Sequence, residues 1–176
     1  MKKYKVILTE SEMRKLNEVR RDVRAKRLVA DDIDTKDEDE FITVDHIDKN
    51  NYKKYIGKKV NVTGDVYLEE LGLKEIPITF GKVGGDFNCS YNRIILPSGC
   101  PNKVGGNFDC SDNELKFLVG CPSEVGGDFK CKYNRLTSLK GCPRKVGGIF
   151  DCSHNNKEFT ENDVSSLCEI DENIYV

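Results

Sequence analysis

A seven-residue phrase, Val-Gly-Gly-x-Phe-x-Cys, returns in this chain at a fixed step. Its copies begin at Val83, Val104, Val125 and Val146, so the period is 21. A strict period of this length indicates an array of stacked units rather than a single globular core. Arrays usually present an extended surface, so the repeat favours binding over catalysis.

Each unit continues beyond this phrase in the same order. After Cys come x-x-Asn-x-Leu/Ile-x-x-Leu and Gly-Cys-Pro, and residues 129–143 are the cleanest copy. Because side chains alternate along a strand, Phe and Cys point to one face of a short strand. We expect the Asn amide to bond the turning backbone of adjacent coils, and the Gly residues to turn the chain back at positive φ. The Asn residues are Asn92, Asn113, Asn134 and Asn155.

The unit resembles the leucine-rich repeat family, whose pattern is Leu-x-x-Leu-x-Leu-x-x-Asn/Cys-x-Leu. The resemblance covers residues 60–158, although Phe and Cys replace two leucines. It implies an α/β repeat fold, a leucine-rich-repeat-like solenoid with a parallel strand face, preceded by a small α/β N-terminal cap. The short Val-Gly-Gly and Gly-Cys-Pro units are similar to those of bacteriophage and bacterial proteins, which implies an intracellular interaction module. The matching positions in the third copy are Phe129, Cys131, Asn134, Leu136 and Leu139.

The period predicts three segments. Residues 60–158 hold about five 21-residue repeats, counting a degenerate first unit that starts at Val62. Residues 1–59 carry no repeat and are predicted to form a strand-helix-strand cap with an acidic linker, with the helix at 10–29 and the second strand at 41–47. Residues 159–176 are predicted to form a C-terminal cap with a short helix at 163–168. Caps are expected because an end coil otherwise exposes its apolar edge.

Charge and hydropathy narrow the class of protein. The net charge is −2 and the pI is about 5.8, which argues against a dedicated nucleic-acid-binding protein. The N-terminal apolar run is too short for a signal peptide, and no stretch approaches a membrane span. We therefore expect a cytoplasmic chain with no membrane contact, placed in the host cytoplasm if a phage encodes it.

Eight cysteines invite a disulfide or metal interpretation, but their spacing favours a structural one. Seven fall into two series that follow the repeat, and each series should stack as a ladder of buried rungs about 4.8 Å apart. Zinc ligands usually come as Cys-x₂₋₄-Cys pairs, which this chain lacks, so we expect no metal and no cofactor. Disulfides between adjacent rungs remain an alternative in an oxidising compartment. The series are Cys89, Cys110, Cys131, Cys152 and Cys100, Cys121, Cys142, with Cys168 outside both.

The variable positions around Phe-x-Cys-x-x-Asn are the candidate binding residues. The resemblance implies that the strand face holds the ligand, and Tyr91 and Tyr133 are the best anchors because aromatic side chains give a large contact area at low entropic cost. An ordinary polar solenoid surface is the alternative interpretation. The predicted partner-binding residues are Asn88, Tyr91, Asp109, Asp112, Lys130, Lys132, Tyr133, Asp151 and His154.

A basic surface on the predicted N-terminal helix supports a second hypothesis, a nucleic-acid-associated protein. Seven acidic residues follow at 31–40 and would weaken the field that reaches a phosphate backbone, so a solvated helix is the simpler interpretation. The basic residues in question are Arg20, Arg21, Arg24 and Arg27.

No catalytic constellation is present in the sequence. The histidines are His46 and His154, and Cys152 should point inward where His154 points outward, so a Cys–His nucleophile pair is not expected. The leading hypothesis is a non-enzymatic protein–protein interaction module with another protein as its partner. The resemblance to phage proteins adds the expectation of a phage-encoded inhibitor or modulator of a host defence protein.

Overall fold

The computed structural model describes Arg14, Asn17 and residues 41–176. Arg14 and Asn17, inside the predicted helix, are helical. The predicted first strand, the other residues of the predicted helix and the acidic linker lie outside the described residues, as do Arg20, Arg21, Arg24 and Arg27.

Residues 41–176 form a parallel β-solenoid of about six turns with stacked coils. Each full coil places one strand in each of two sheets, and every strand pairs in parallel with the same strand of the next coil. The seven-stranded sheet contains, in spatial order, β1 (Ile42–Val44), β2 (Lys59–Val62), β4 (Thr79–Val83), β6 (Lys103–Val104), β8 (Glu124–Val125), β10 (Lys145–Val146) and β12 (Glu169–Ile170). The six-stranded sheet contains β3 (Val66–Tyr67), β5 (Phe87–Asn88), β7 (Phe108–Asp109), β9 (Phe129–Lys130), β11 (Phe150–Asp151) and β13 (Ile174–Tyr175).

Each strand residue in the central coils pairs with the residue one repeat length away, so identical positions of the repeat stack. Phe87 pairs with Phe108, Phe108 with Phe129, and Phe129 with Phe150. Their fully buried rings lie 5.4, 5.5 and 5.0 Å apart between centroids. The cysteine ladder beside them is buried as predicted, with at most 1% exposure at each rung from Cys89 to Cys152. The core is therefore a set of columns that run the length of the solenoid.

Each central coil has a second strand that the repeat pattern does not predict. The residue pair before Gly-Gly forms it, as in β6, where Lys103 is exposed and Val104 is buried. In residues 41–176 the helices are a 3₁₀ helix at Tyr52–Tyr55 and an α-helix at Glu161–Ser165, and neither belongs to a central coil. The parallel solenoid is confirmed. The α/β class and the leucine-rich-repeat cross-section are not confirmed, because strands and turns alone build the coils.

The glycines of the repeat serve two different purposes. Those of Gly-Cys-Pro have positive φ as expected, for example 86° at Gly99. The expectation was wrong for Val-Gly-Gly, whose glycines are not in the left-handed region. There a Cβ on Gly105 would collide with the carbonyl of Gly84, and a Cβ on Gly106 would collide with the carboxylate of Asp86. The Gly-Gly pairs exist because successive coils approach too closely for any side chain.

The repeated Asn side chains bond the backbone of their own and the preceding coil, which confirms that prediction. Asn113 Oδ1 accepts the N–H of Ile94 at 2.9 Å. Its Nδ2 donates to the carbonyls of Cys89 at 3.0 Å and Ser111 at 3.1 Å. The same bonds recur at the other three Asn residues. This ladder satisfies backbone groups that would otherwise be buried without partners at the turn.

A second polar ladder, which the sequence does not reveal, lies at the position between Gly-Gly and Phe. Each Asp or Asn there accepts, through Oδ1, the N–H of the residue 21 positions later, at 2.7 to 2.9 Å. Each ladder oxygen occupies the space that a Cβ would need on a glycine of the next coil. These glycines are Gly85, Gly106, Gly127 and Gly148. The ladder residues are Asp65, Asp86, Asn107 and Asp128.

Both flanks extend the sheets. The predicted strand at 41–47 is β1, which pairs with β2, and Ile47 bridges to Val66 in the other sheet. At the opposite end the predicted short helix is present at Glu161–Ser165 rather than 163–168, and a capping box between Thr160 and Asp163 starts it. The described helices include none long and apolar enough to cross a membrane.

Candidate protein-binding surface

Five residues other than glycine have positive φ in the described part of the chain, and each lies one repeat length from the next. Four of them occupy the turn between the Cys-x pair and the ladder Asn, and Glu70 occupies the same turn in the first unit, where Leu68 and Leu71 replace Cys and Asn. At Tyr91 the amide of Asn92 bonds the carbonyls of Cys89 and Ser90, which closes this turn tightly. We call these residues the left-handed column: Glu70, Tyr91, Asp112, Tyr133 and His154, with φ between 51° and 58°.

The left-handed column presents exposed aromatic side chains. Tyr91 is 60% exposed and Tyr133 is 48% exposed. Tyr133 stacks on His154, with ring centroids 4.4 Å apart and planes inclined by 23°. Two further tyrosines on the outer face of the six-stranded sheet, Tyr67 and Tyr175, are 39% and 51% exposed. Exposed tyrosines at this density are typical of a recognition surface.

The four residues predicted between Phe and Cys are brought together as neighbours on adjacent strands. They form the row Asn88, Asp109, Lys130 and Asp151. Asn88, Asp109 and Asp151 each accept the N–H of the Ser two residues later, at 2.9, 2.9 and 3.2 Å. These three side chains therefore support the turn, and Asp151 is buried rather than outward as predicted.

Lys130 and Lys132 are both engaged by carboxylates. Lys130 Nζ lies 3.0 Å from Asp128, and this bond is the main cause that raises the pKa of Lys130. Burial is the largest influence on Asp128 and raises its pKa, but the N–H of Ile149 and the Lys130 ammonium outweigh it and hold the pKa below its usual value. Lys132 Nζ lies 3.5 Å from Asp151 and 6.0 Å from the ring centre of Tyr133.

Asp112 is the carboxylate in the middle of the left-handed column. Burial and the charge of Asp109 raise its pKa by more than Lys132 lowers it. Next to it Ser111 is 2% exposed, and its Oγ has no hydrogen-bond partner among residues 41–176. In the first and fourth copies of the phrase the matching hydroxyls of Ser90 and Ser153 donate at 2.7 Å to the residue two positions earlier.

The thiols of Cys152 and Cys168 are buried, with 1% and 6% exposure. Burial raises the pKa of Cys152 to about 12, so its thiol stays protonated, while His154 is exposed on the surface. Burial also raises the pKa of Cys168 to about 12. In the part of the chain that the structure describes, no group of three or more His, Cys, Asp or Glu side chains could hold a metal ion.

The opposite side of the solenoid carries an open groove of about 760 Å³ along the seven-stranded sheet, which the sequence did not reveal. Its lining includes the exposed glycines Gly84, Gly105 and Gly126 together with Lys103, which pairs with Glu124 at 2.8 Å. The groove follows from the close stacking of Gly-Gly and contains no aromatic side chain.

Comparison with protein-family models, with curated proteins and with solved structures finds no match to this chain. The surface is therefore interpreted from its own geometry and chemistry.

Proposed function

We propose that this chain is a non-enzymatic protein-interaction module, and that the left-handed column with the adjoining face of the six-stranded sheet is its binding surface. The observation that carries the proposal is the set of residues held at positive φ. A left-handed backbone costs a residue such as tyrosine about 1–2 kcal/mol, whereas Gly, Asn, Asp and His tolerate it better. Folding alone therefore does not favour Tyr91 and Tyr133, and their role is what they present to a partner.

The dimensions of the surface suit a protein partner. Coils repeat about every 4.8 Å, so the column from Glu70 to His154 extends roughly 19 Å along the solenoid axis. Its side chains are three aromatic rings and two carboxylates, and they lie on an open surface. Such a surface suits a strand, loop or helix face of another protein, with Tyr91 and Tyr133 as the anchors.

A second part of the proposal, drawn from the resemblance, is that the chain is related to the leucine-rich repeat family. Its support is that Phe129, Cys131, Asn134, Leu136 and Leu139 are all buried, with at most 6% exposure. The two-sheet coil differs from the single strand face that the family implies. The short units are similar to those of phage proteins. The first partner class to test is therefore a host defence protein, which this chain would bind and inhibit in the host cytoplasm.

Affinity capture from a lysate of the source cells, or of the host if the source is a phage, tests the binding surface. The Tyr91→Asn/Tyr133→Asn variant removes both anchors and keeps residues that tolerate the left-handed backbone. The matched control, Arg144→Asn/Lys145→Asn, changes two exposed residues at the other sheet. We expect a protein that the native chain and the control capture and that the tyrosine variant loses. Equal capture by all three chains would refute the proposed surface.

A further inference from the structure

The middle of the left-handed column places one carboxylate between two exposed tyrosines. Asp112 lies one coil from Tyr91 and one coil from Tyr133, so each neighbour is about 4.8 Å away along the axis. Backbone bonds between the coils fix this spacing: Tyr91 N–H donates to the carbonyl of Ser111 at 3.2 Å, and Asp112 N–H donates to the carbonyl of Lys132 at 3.1 Å. We call Tyr91, Asp112 and Tyr133 the tyrosine-flanked carboxylate.

The charge of this carboxylate is not neutralised within the described chain. The ammonium of Lys132 is paired with Asp151. Residues 41–176 supply no ion pair or hydrogen bond to the Asp112 side chain. Asp109, on the same coil, adds a second negative charge, and the buried Ser111 hydroxyl beside it is unpaired. The site therefore combines excess negative charge with two aromatic rings.

We propose that the tyrosine-flanked carboxylate binds a cationic side chain, arginine or lysine, of the protein partner. The proposal rests on the proposed function and names the chemistry of the partner at the centre of the same surface. A guanidinium forms charge-assisted hydrogen bonds with a carboxylate, and tyrosine faces attract the same cation. Arginine fits best because its planar group can bond Asp112 and stack on a tyrosine at once.

Other occupants fit this chemistry less well. An acidic segment or a nucleic acid would meet the charges of Asp109 and Asp112 with the same sign. An apolar segment would bury the Asp112 carboxylate without a partner, which is costly. A cation is the one class of group that gains from both the acid and the rings.

Peptide titrations followed by NMR amide shifts of the full chain test this inference. The probes are three acetylated pentapeptides with Arg, Lys or Glu at the centre of an otherwise Ser/Gly sequence. We expect the Arg peptide to shift the amides of Tyr91, Asp112 and Tyr133, the Lys peptide to bind more weakly, and the Glu peptide to leave them unchanged. Asp112→Asn should weaken Arg-peptide binding about five- to tenfold. Asp171→Asn removes the same charge at the other sheet and should leave it unchanged.

The results separate this inference from the proposed function. Equal weakening by both Asn variants, or shifts spread evenly over the surface, would mean non-specific charge attraction and would overturn the cation site. If the Arg peptide shifts none of the three amides while the tyrosine variant still loses the captured protein, the cation site fails and the binding surface stands. Protein capture that survives loss of both tyrosines overturns the proposed function, and with it the assignment of the cation to a protein partner.

Discussion

The ring of Tyr133 stacks on the imidazole of His154 at 4.4 Å, although both residues hold a left-handed backbone. The stack joins the same position of two successive coils. An aromatic pair contributes about 0.5–1.5 kcal/mol beyond the area it buries, which offsets part of the backbone cost. Tyr91 has no such support, because Asp112 occupies the next coil at its position.

This difference predicts that replacing each tyrosine by Asn changes the free energy of unfolding differently. Tyr91→Asn relieves an unfavourable backbone and loses an exposed side chain, so stability should be unchanged or rise by up to about 1 kcal/mol. Tyr133→Asn also loses the stack on His154, so it should be neutral or slightly destabilising. Urea unfolding at pH 7 measures both. A loss of more than about 1 kcal/mol in Tyr91→Asn would show that Tyr91 is kept for stability and would remove the main support for the binding surface.

The sequence predicts the parts of this fold that depend on repetition and alternation. The repeat length, the inward Phe and Cys, and the Asn bonds between coils follow from local rules applied once per unit. The second strand was missed because a two-residue strand such as Lys103–Val104 is too short to show a period. The purpose of Gly-Gly was misjudged because the close approach of Gly105 to Gly84 exists only once coils stack.

The candidate site was predictable only in part for similar reasons. The sequence places Tyr91 and Tyr133 at variable, outward positions, and the structure exposes both. It gives no sign of positive φ there, because that conformation is usually marked by Gly or Asn. It also cannot show that Asp109 folds back onto the N–H of Ser111, since an outward side chain can bond its own turn.

Removing one ladder amide should destabilise the whole array. Asn113→Ala leaves the buried N–H of Ile94 without a partner and removes one of the two hydrogen bonds to each of the carbonyls of Cys89 and Ser111, so we expect a loss of about 2–3 kcal/mol. Asn156→Ala, at an exposed position outside the ladder, is the control and should change stability by less than about 0.5 kcal/mol. Thermal and urea unfolding compare the two. Similar small effects in both variants would mean that water replaces the ladder bonds.

The two kinds of glycine should respond differently to a methyl group. Gly105→Ala forces a Cβ against the backbone carbonyl of Gly84, which cannot move without separating the coils, so we expect a loss of about 3 kcal/mol. Gly72→Ala has open space around it and a φ of 67°, so it should cost about 1 kcal/mol from the backbone alone. Urea unfolding of both variants checks the order. The reverse order would contradict close coil stacking as the reason for Gly-Gly.

The buried thiols predict that stability falls in alkali. Burial raises the pKa of Cys142 to about 11 and that of Cys152 to about 12, from 9.0 for a free thiol. Above pH 9 these thiols ionise in the unfolded chain but stay protonated in the folded one. The unfolded state then binds fewer protons, so the free energy of unfolding decreases as pH rises.

Each such thiol should lower the free energy of unfolding by up to about 1.4 kcal/mol per pH unit between pH 9 and the folded pKa. Urea unfolding under reducing conditions at pH 8, 9 and 10 measures this slope. In Cys142→Val the free energy of unfolding should fall less steeply with pH, because valine does not ionise and the contribution of one thiol is lost. A free energy of unfolding that stays constant from pH 8 to 10 would mean that the cysteine ladders are open to solvent, since thiols that ionise equally in both states give no pH dependence.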